Sequence, residues 1–223
     1  MSWWVHDVYG ESGIVGVVSW IVIVIGSICL HELSHGWAAL RQGDPTPEAL
    51  GHMTWNPLVH MPQTSLFLFA FLGIAYGLMP VDPSRFRSRY GDAYVAAAGP
   101  AMNLLLAGIF VAIGGLVLAY IQQLGDPFGP NLLRFCELAV VLNVTLALFN
   151  LIPVPPLDGS RILGDFVPSY RGLFESENGQ WVGLGLFLLV FFFAGRFLFR
   201  PGQWIQFHGI NWFASLVGPA PLP

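Results

Sequence analysis

The sequence predicts an all-α polytopic membrane protein of about four to six transmembrane helices, with one segment that enters the bilayer without crossing it. Two measures of composition and one pattern predict this. Hydrophobic residues make up 55% of the 223 residues and charged residues only 10%, whereas soluble domains carry about 25% charged residues. Mean hydropathy is +0.64. Four apolar runs, over residues 14–40, 93–121, 132–152 and 181–199, approach or exceed the ~20 residues that cross a hydrocarbon core. The expected organisation is one integral-membrane domain over 1–223, with no room for a soluble appendage. The lipid bilayer is its expected surrounding. A net charge of −4, no Lys, and no basic cluster beyond Arg85, Arg87 and Arg89 argue against nucleic acid as a partner. Cys29 and Cys136 both lie in apolar runs, so no disulfide framework is indicated. The first thirteen residues lack a basic n-region, and the run from Ile14 is expected to remain as a membrane helix.

The first span, 14–40, would be about 40 Å long, with His31 about 26 Å along it. Here lies the pattern with the most chemistry, His31-Glu32-Leu33-Ser34-His35. On a helix, residues four apart share a face, so His31 and His35 can direct imidazole nitrogens at one Zn²⁺, and Glu32 can reach a water at the metal. An ionisable Glu at this depth is costly without such a role. Cys29 reads as a small apolar core residue rather than a further ligand. A zinc site inside the membrane is therefore expected.

The following loop, 41–64, is rich in turn formers such as Gly43-Asp44-Pro45 and Asn56-Pro57. The next apolar stretch, 65–79, is interrupted by Gly73 and Gly77 and would cover only about 22 Å of a core of about 30 Å. It is expected to be re-entrant. A zinc hydrolase needs a third protein ligand, and Asp158, just after the span 132–152, is the candidate. Asp158 could instead cap a following helix. If 65–79 crossed, Asp158 and the zinc helix would end on opposite faces. With 65–79 re-entrant they share a face with Arg41, Arg85, Arg87, Arg89, Arg161 and Arg171, against Arg134, Arg196 and Arg200 opposite. The positive-inside rule makes the first face cytoplasmic, in the cell membrane of a prokaryote. Glu137, the other acid well inside an apolar run, would be the third ligand of a different arrangement. The tail, 204–217, interleaves aromatic and polar residues and reads as an interfacial or partly inserted segment.

His31–His35, Ala98-Gly99-Pro100-Ala101-Met102-Asn103 at the start of a span, and the run Asn150 to Gly159 followed by Ser160-Arg161-Ile162-Leu163 resemble, in order and spacing, the site-2 protease family of intramembrane zinc metalloproteases. The likeness extends over most of residues 14–165, including Thr54–His60 and Pro80–Pro83, and points to the compact members without PDZ or CBS domains. Ser160 stands where Gly is more usual. The resemblance implies one Zn²⁺ per chain held by His31, His35 and Asp158, with Glu32 as general base. It implies that Asn150 holds the substrate strand or the oxyanion, although a helix-end residue before Ile152-Pro153 would look the same.

It implies, finally, an intramembrane endopeptidase cutting a membrane-protein substrate within or near its transmembrane segment. A membrane-anchored zincin acting on soluble or misfolded chains, and a non-catalytic metal-binding membrane protein, are the alternatives. Among the remaining residues, His60 is a candidate for substrate contact and His52 a weaker one, exposed loop histidines being the ordinary case. His6 and His208 read as interfacial. Asn103 reads as an interhelical hydrogen-bonding residue. A substrate helix must unwind before its carbonyls can react, and the donor-poor stretch at Pro153, Pro155 and Pro156 favours an extended substrate added as a strand.

Overall fold

The structure, a computed structural model, describes residues 4–73 and 75–218, with the side chains of all of these except 175 and 194–196. Among the described residues the regular elements are all helical. Helix α1 (Trp4–Gln42) carries the zinc motif and departs from helical geometry only at Gly13 (φ 64°). The short helices α2 (Thr46–Ala49) and α3 (Pro57–His60) follow. Asn56 caps α3 by accepting from Leu58 N at 3.1 Å, with Pro57 in the first position. Helix α4 (Gln63–Leu72) ends on Gly73, whose φ of 72° is the left-handed cap that glycine supplies most readily.

Beyond Gly73 the chain turns back in extended form. Tyr76 N donates to Ser65 Oγ (2.8 Å), which in turn donates to the Tyr76 carbonyl (2.6 Å). Leu78 N donates to the His60 carbonyl (2.8 Å), and Asp82 N donates to Asp44 Oδ2 (2.7 Å). Residues 60 and 78 are thus hydrogen-bonded neighbours, so the excursion between them leaves and returns at one end of the molecule. The expected re-entrant stretch is a ten-residue helix with an extended return.

A 3₁₀ turn at Pro83–Arg85 leads into α5 (Gly91–Ala119), which lies at the centre and packs on α1, α7 and α10. After α6 (Ile121–Leu124) come α7 (Phe128–Asn150), α8 (Asp158–Phe166), α9 (Pro168–Glu175) and α10 (Glu177–Val217). α8 packs against α5. Helices α1, α5 and α7 are long and apolar enough to cross a membrane, and the two limbs of α10, Glu177–Phe193 and Phe197–Val217, add a fourth candidate bent by 49°. Pro201 cannot donate to the carbonyl of Phe197, which loosens the helix next to the bend.

Residues 204–217 lie on the second limb of α10. Ile210 is buried with Ala107, Val140 and Val144 between α5, α7 and α10, and Gln206 Nε2 donates to Glu137 Oε1 at 3.1 Å. Outward, the helices present Leu105, Ile109, Leu116, Phe192 and Phe193. An apolar exterior over a core of small and polar side chains suits lipid as solvent, and the chain is an integral membrane protein.

Candidate metal centre

Helical spacing stacks His31 and His35 on one face of α1, their ring centroids 4.7 Å apart and edge to face. α8 brings Asp158 to the same point. Asp158 Oδ2 lies 3.1 Å from His31 Nε2, Asp158 Oδ1 lies 3.4 Å from His35 Nε2, and the two Nε2 atoms are 3.0 Å apart. All three residues are buried. The helix-cap alternative for Asp158 is not realised, because α8 has no side-chain cap. The carboxylate turns to the imidazoles instead.

α8 is held by charge. Asp92 Oδ1 accepts from Arg161 Nε (3.1 Å) and Nη2 (2.7 Å), and Asp92 Oδ2 accepts from Arg171 Nη2 (2.9 Å). Asp165 Oδ2 accepts Ala93 N at 2.9 Å, in the first turn of α5 where an anion is favoured by the helix dipole. These bonds tie the helix that starts at Asp158 to the start of α5.

The far nitrogens of the rings are also engaged. His35 Nδ1 lies 2.7 Å from the Val95 carbonyl, which can only accept, so His35 carries a proton on Nδ1 and turns Nε2 inward. His31 Nδ1 lies 2.6 Å from Asn103 Oδ1. Two imidazole Nε2 atoms and a carboxylate therefore converge, every donor atom within 4.8 Å of the others. Such a cluster is held together by a cation, a proton or a metal ion, lying within it. The backbone makes room for one: a Cβ on Gly99 would press on the Nε2 atoms of both His31 and His35. Two imidazoles and one carboxylate form a zinc donor set that leaves a fourth position free. The residues present fit the ion.

Glu32, 6% exposed, is next to His31 but turned to another neighbour. Its carboxylate lies against Gly77 of the extended return, where any added Cβ would overlap it. Hydrogen bonds from the chain hold the return above and below this contact, at Tyr76 and Leu78.

Other candidates fall elsewhere. Asn150 is the last residue of α7 and donates from Nδ2 to the Leu146 carbonyl at 3.0 Å. His60 is not an exposed loop histidine: it is fully buried, its Nε2 donating to the Thr54 carbonyl at 2.7 Å. Burial, with His60 beside it, pushes the His52 imidazole below the ordinary histidine range. Glu137 pairs with Gln206 and belongs to no metal-sized cluster among the described residues. Cys29 is buried and likewise outside the cluster. Asn103 does make the expected interhelical bond. The Val95 carbonyl and the vacant side-chain position at Gly99 were not apparent from the motif, although Gly99 lies within a quoted one.

A helical membrane bundle with a buried His₂–Asp donor set and an adjoining glutamate defines a zinc metalloprotease. The family model of Peptidase family M50 matches residues 19–193, and the chain belongs to that family, the site-2 proteases. It is 36% identical to YwhC of Bacillus subtilis over 150 residues, covering 66% of this chain and 68% of that protein. It is 33% identical to Rip2 of Mycolicibacterium smegmatis over 230 residues, covering 98% and 85% of the two chains. The names of both assign them, by inference, to the zinc metalloproteases. The zinc metalloprotease MJ0392 of Methanocaldococcus jannaschii is 25% identical over 174 residues, covering 78% of this chain and 42% of that protein. No solved structure matches the chain significantly.

Proposed function

We propose that the chain is an intramembrane endopeptidase that hydrolyses a peptide bond within or near the transmembrane segment of a membrane-protein substrate. The observation that carries this reading is the position of Glu32, buried in an apolar helix beside the His₂–Asp donor set and roofed by the backbone at Gly77. A scissile bond has to come to it inside the bundle, as unwound chain. The return that passes Glu32 offers a place for such chain. The N–H groups of Tyr76, Leu78 and Asp82 are taken by Ser65, His60 and Asp44, whereas those of Gly77, Met79 and Val81 have no partner among the described residues. An extended substrate can pair with this edge by strand addition.

In this reading His31, His35 and Asp158 hold Zn²⁺, which when bound lowers the pKa of a water and polarises the scissile carbonyl. Glu32 accepts the proton of the attacking water and returns it to the departing amine. Asn150, with one N–H on Leu146, has the second for the substrate strand or the developing oxyanion. His60 acts through its carbonyl, which fixes Leu78 and hence the strand over Glu32. Burial keeps its ring from the substrate.

The test is cleavage in vesicles holding the purified chain and a single-span model substrate, with the products mapped by mass spectrometry. The cut is expected within the span or a few residues from its cytoplasmic end. Cleavage of an unfolded soluble protein with the span left intact would favour the membrane-anchored zincin and overturn the proposal.

Six of the nine arginines, Arg41, Arg85, Arg87, Arg89, Arg161 and Arg171, lie at the end of α1, on the 83–90 connection and on the short helices α8 and α9, which supports a cytoplasmic site. In a Cys29→Ala, Cys136→Ala background expressed in intact cells, an impermeant thiol reagent is expected to label Gln123→Cys and to spare both Glu48→Cys and Ser84→Cys. Labelling of Glu48→Cys and Ser84→Cys with Gln123→Cys protected would place the site on the outer face.

A further inference from the structure

Asn143 takes part in none of the chemistry above, yet it is fully buried on the apolar helix α7, where an amide needs partners on all sides. Its bonds fix directions that reach the metal centre. Asn143 lies 2.9 Å from the carbonyl of Ala139, which can only accept, so the atom facing it is the donor Nδ2. Asn143 Oδ1 must then face the other way, where Asn103 Nδ2 donates to it at 3.0 Å. That bond in turn leaves Asn103 Oδ1 facing His31 Nδ1 at 2.6 Å. An oxygen acceptor at that position holds a ring proton on Nδ1, so that Nε2, the atom 3.1 Å from Asp158 Oδ2, is the nitrogen left for a metal.

His35 receives the same instruction directly from the Val95 carbonyl. His31 has no backbone acceptor among the described residues and receives it through two amides.

We propose that Asn143 is a positioning residue of the metal centre: by fixing the Asn103 amide it holds His31 in the tautomer that can ligate through Nε2. The proposal rests on the reading of His31 as a zinc ligand. Without Asn143, the Asn103 amide is free to rotate and present Nδ2 to His31 Nδ1. The imidazole then carries its proton on Nε2, where it blocks the ion. A packing role alone would give none of this directionality, since either orientation of an amide fills the same volume.

The experiment is a double-mutant cycle on zinc affinity, measured by competition with a chelator on purified protein in detergent. Asn143→Leu is expected to weaken zinc binding by about 10- to 100-fold, the usual effect of losing a partner that orients a ligand. Asn143→Leu introduced into Asn103→Ala is expected to weaken it no further, because the relay is already cut. A change of less than about twofold in Asn143→Leu, or an equal loss in both backgrounds, overturns the proposal.

A second readout uses the wild-type chain and does not depend on a variant that folds. Nitrogen-15 spectra of the zinc-loaded protein, with ring-labelled histidine, are expected to show His31 ligating through Nε2 with a slowly exchanging proton on Nδ1. Ligation through Nδ1, or a rapidly exchanging ring proton, overturns it. Retention of stoichiometric zinc by His31→Ala would instead refute the ligand reading, an outcome separable from both.

Discussion

Glu32→Gln is expected to retain one zinc per chain and to lose about 10²- to 10⁴-fold in turnover, the usual contribution of a positioned general base. Glutamine keeps the volume and polarity of the side chain against Gly77, so the strand above it has no reason to move. What it loses is the capacity to accept a proton. Glu32 lies outside the His31, His35 and Asp158 cluster, and the metal content is expected to remain that of the wild type. Turnover measured on a membrane substrate, with zinc determined on the same preparation, separates the two effects. Cleavage within a few-fold of the wild-type rate would remove Glu32 from the chemistry. Loss of zinc together with activity would make it part of the metal cage.

Gly99→Ala is expected to be as damaging through a different route. The substitution alters no donor atom. Its methyl group would occupy the space between His31 Nε2 and His35 Nε2, which the donor geometry leaves for the ion. One turn away Val95 of α5 is buried against Ala38 and Ala39 of α1, so α5 cannot easily shift to make room. Zinc is expected to fall well below stoichiometric while the helical content, followed by circular dichroism, stays unchanged. Alanine is otherwise a better helix former than glycine, so a folded protein without metal is the signature. Full zinc occupancy in Gly99→Ala would show that the ion sits elsewhere.

The parts of this molecule that sequence made legible are those governed by local rules. Four apolar runs became four long helices because length and hydropathy suffice for that inference. His31, Glu32 and His35 were legible because i,i+4 spacing on a helix puts two imidazoles on one face, whatever surrounds them. The stretch 65–79 is too short to cross by length alone, and the bond from Leu78 N to the His60 carbonyl brings its end back beside residue 60. Asp158 could be placed because only a shared face lets it meet the zinc helix.

The features that escaped depend on contacts across the bundle. The Val95 carbonyl carries no side-chain signal, and Asn143 lies 40 residues from the Asn103 amide that it fixes. His60 looked like an exposed loop residue because its burial depends on how the loop folds back, which puts the Thr54 carbonyl on its ring and Leu78 on its own carbonyl. The tail was read as interfacial or partly inserted because Gln206, His208 and Asn211 interrupt its apolar residues. These residues lie on the second limb of one bent helix. Gln206 is accommodated by Glu137, a partner from another helix that hydropathy cannot supply.

The zinc content of purified Asp158→Ala, beside that of the wild type, tests the central claim most directly. Asp158 comes from a different helix than the two histidines and is the residue of the cluster that ties α8 to the motif on α1. Elemental analysis is expected to give one zinc per wild-type chain and a small fraction of that in the variant, because two imidazoles alone make an incomplete site. Near-stoichiometric zinc in Asp158→Ala would contradict the three-residue centre described here.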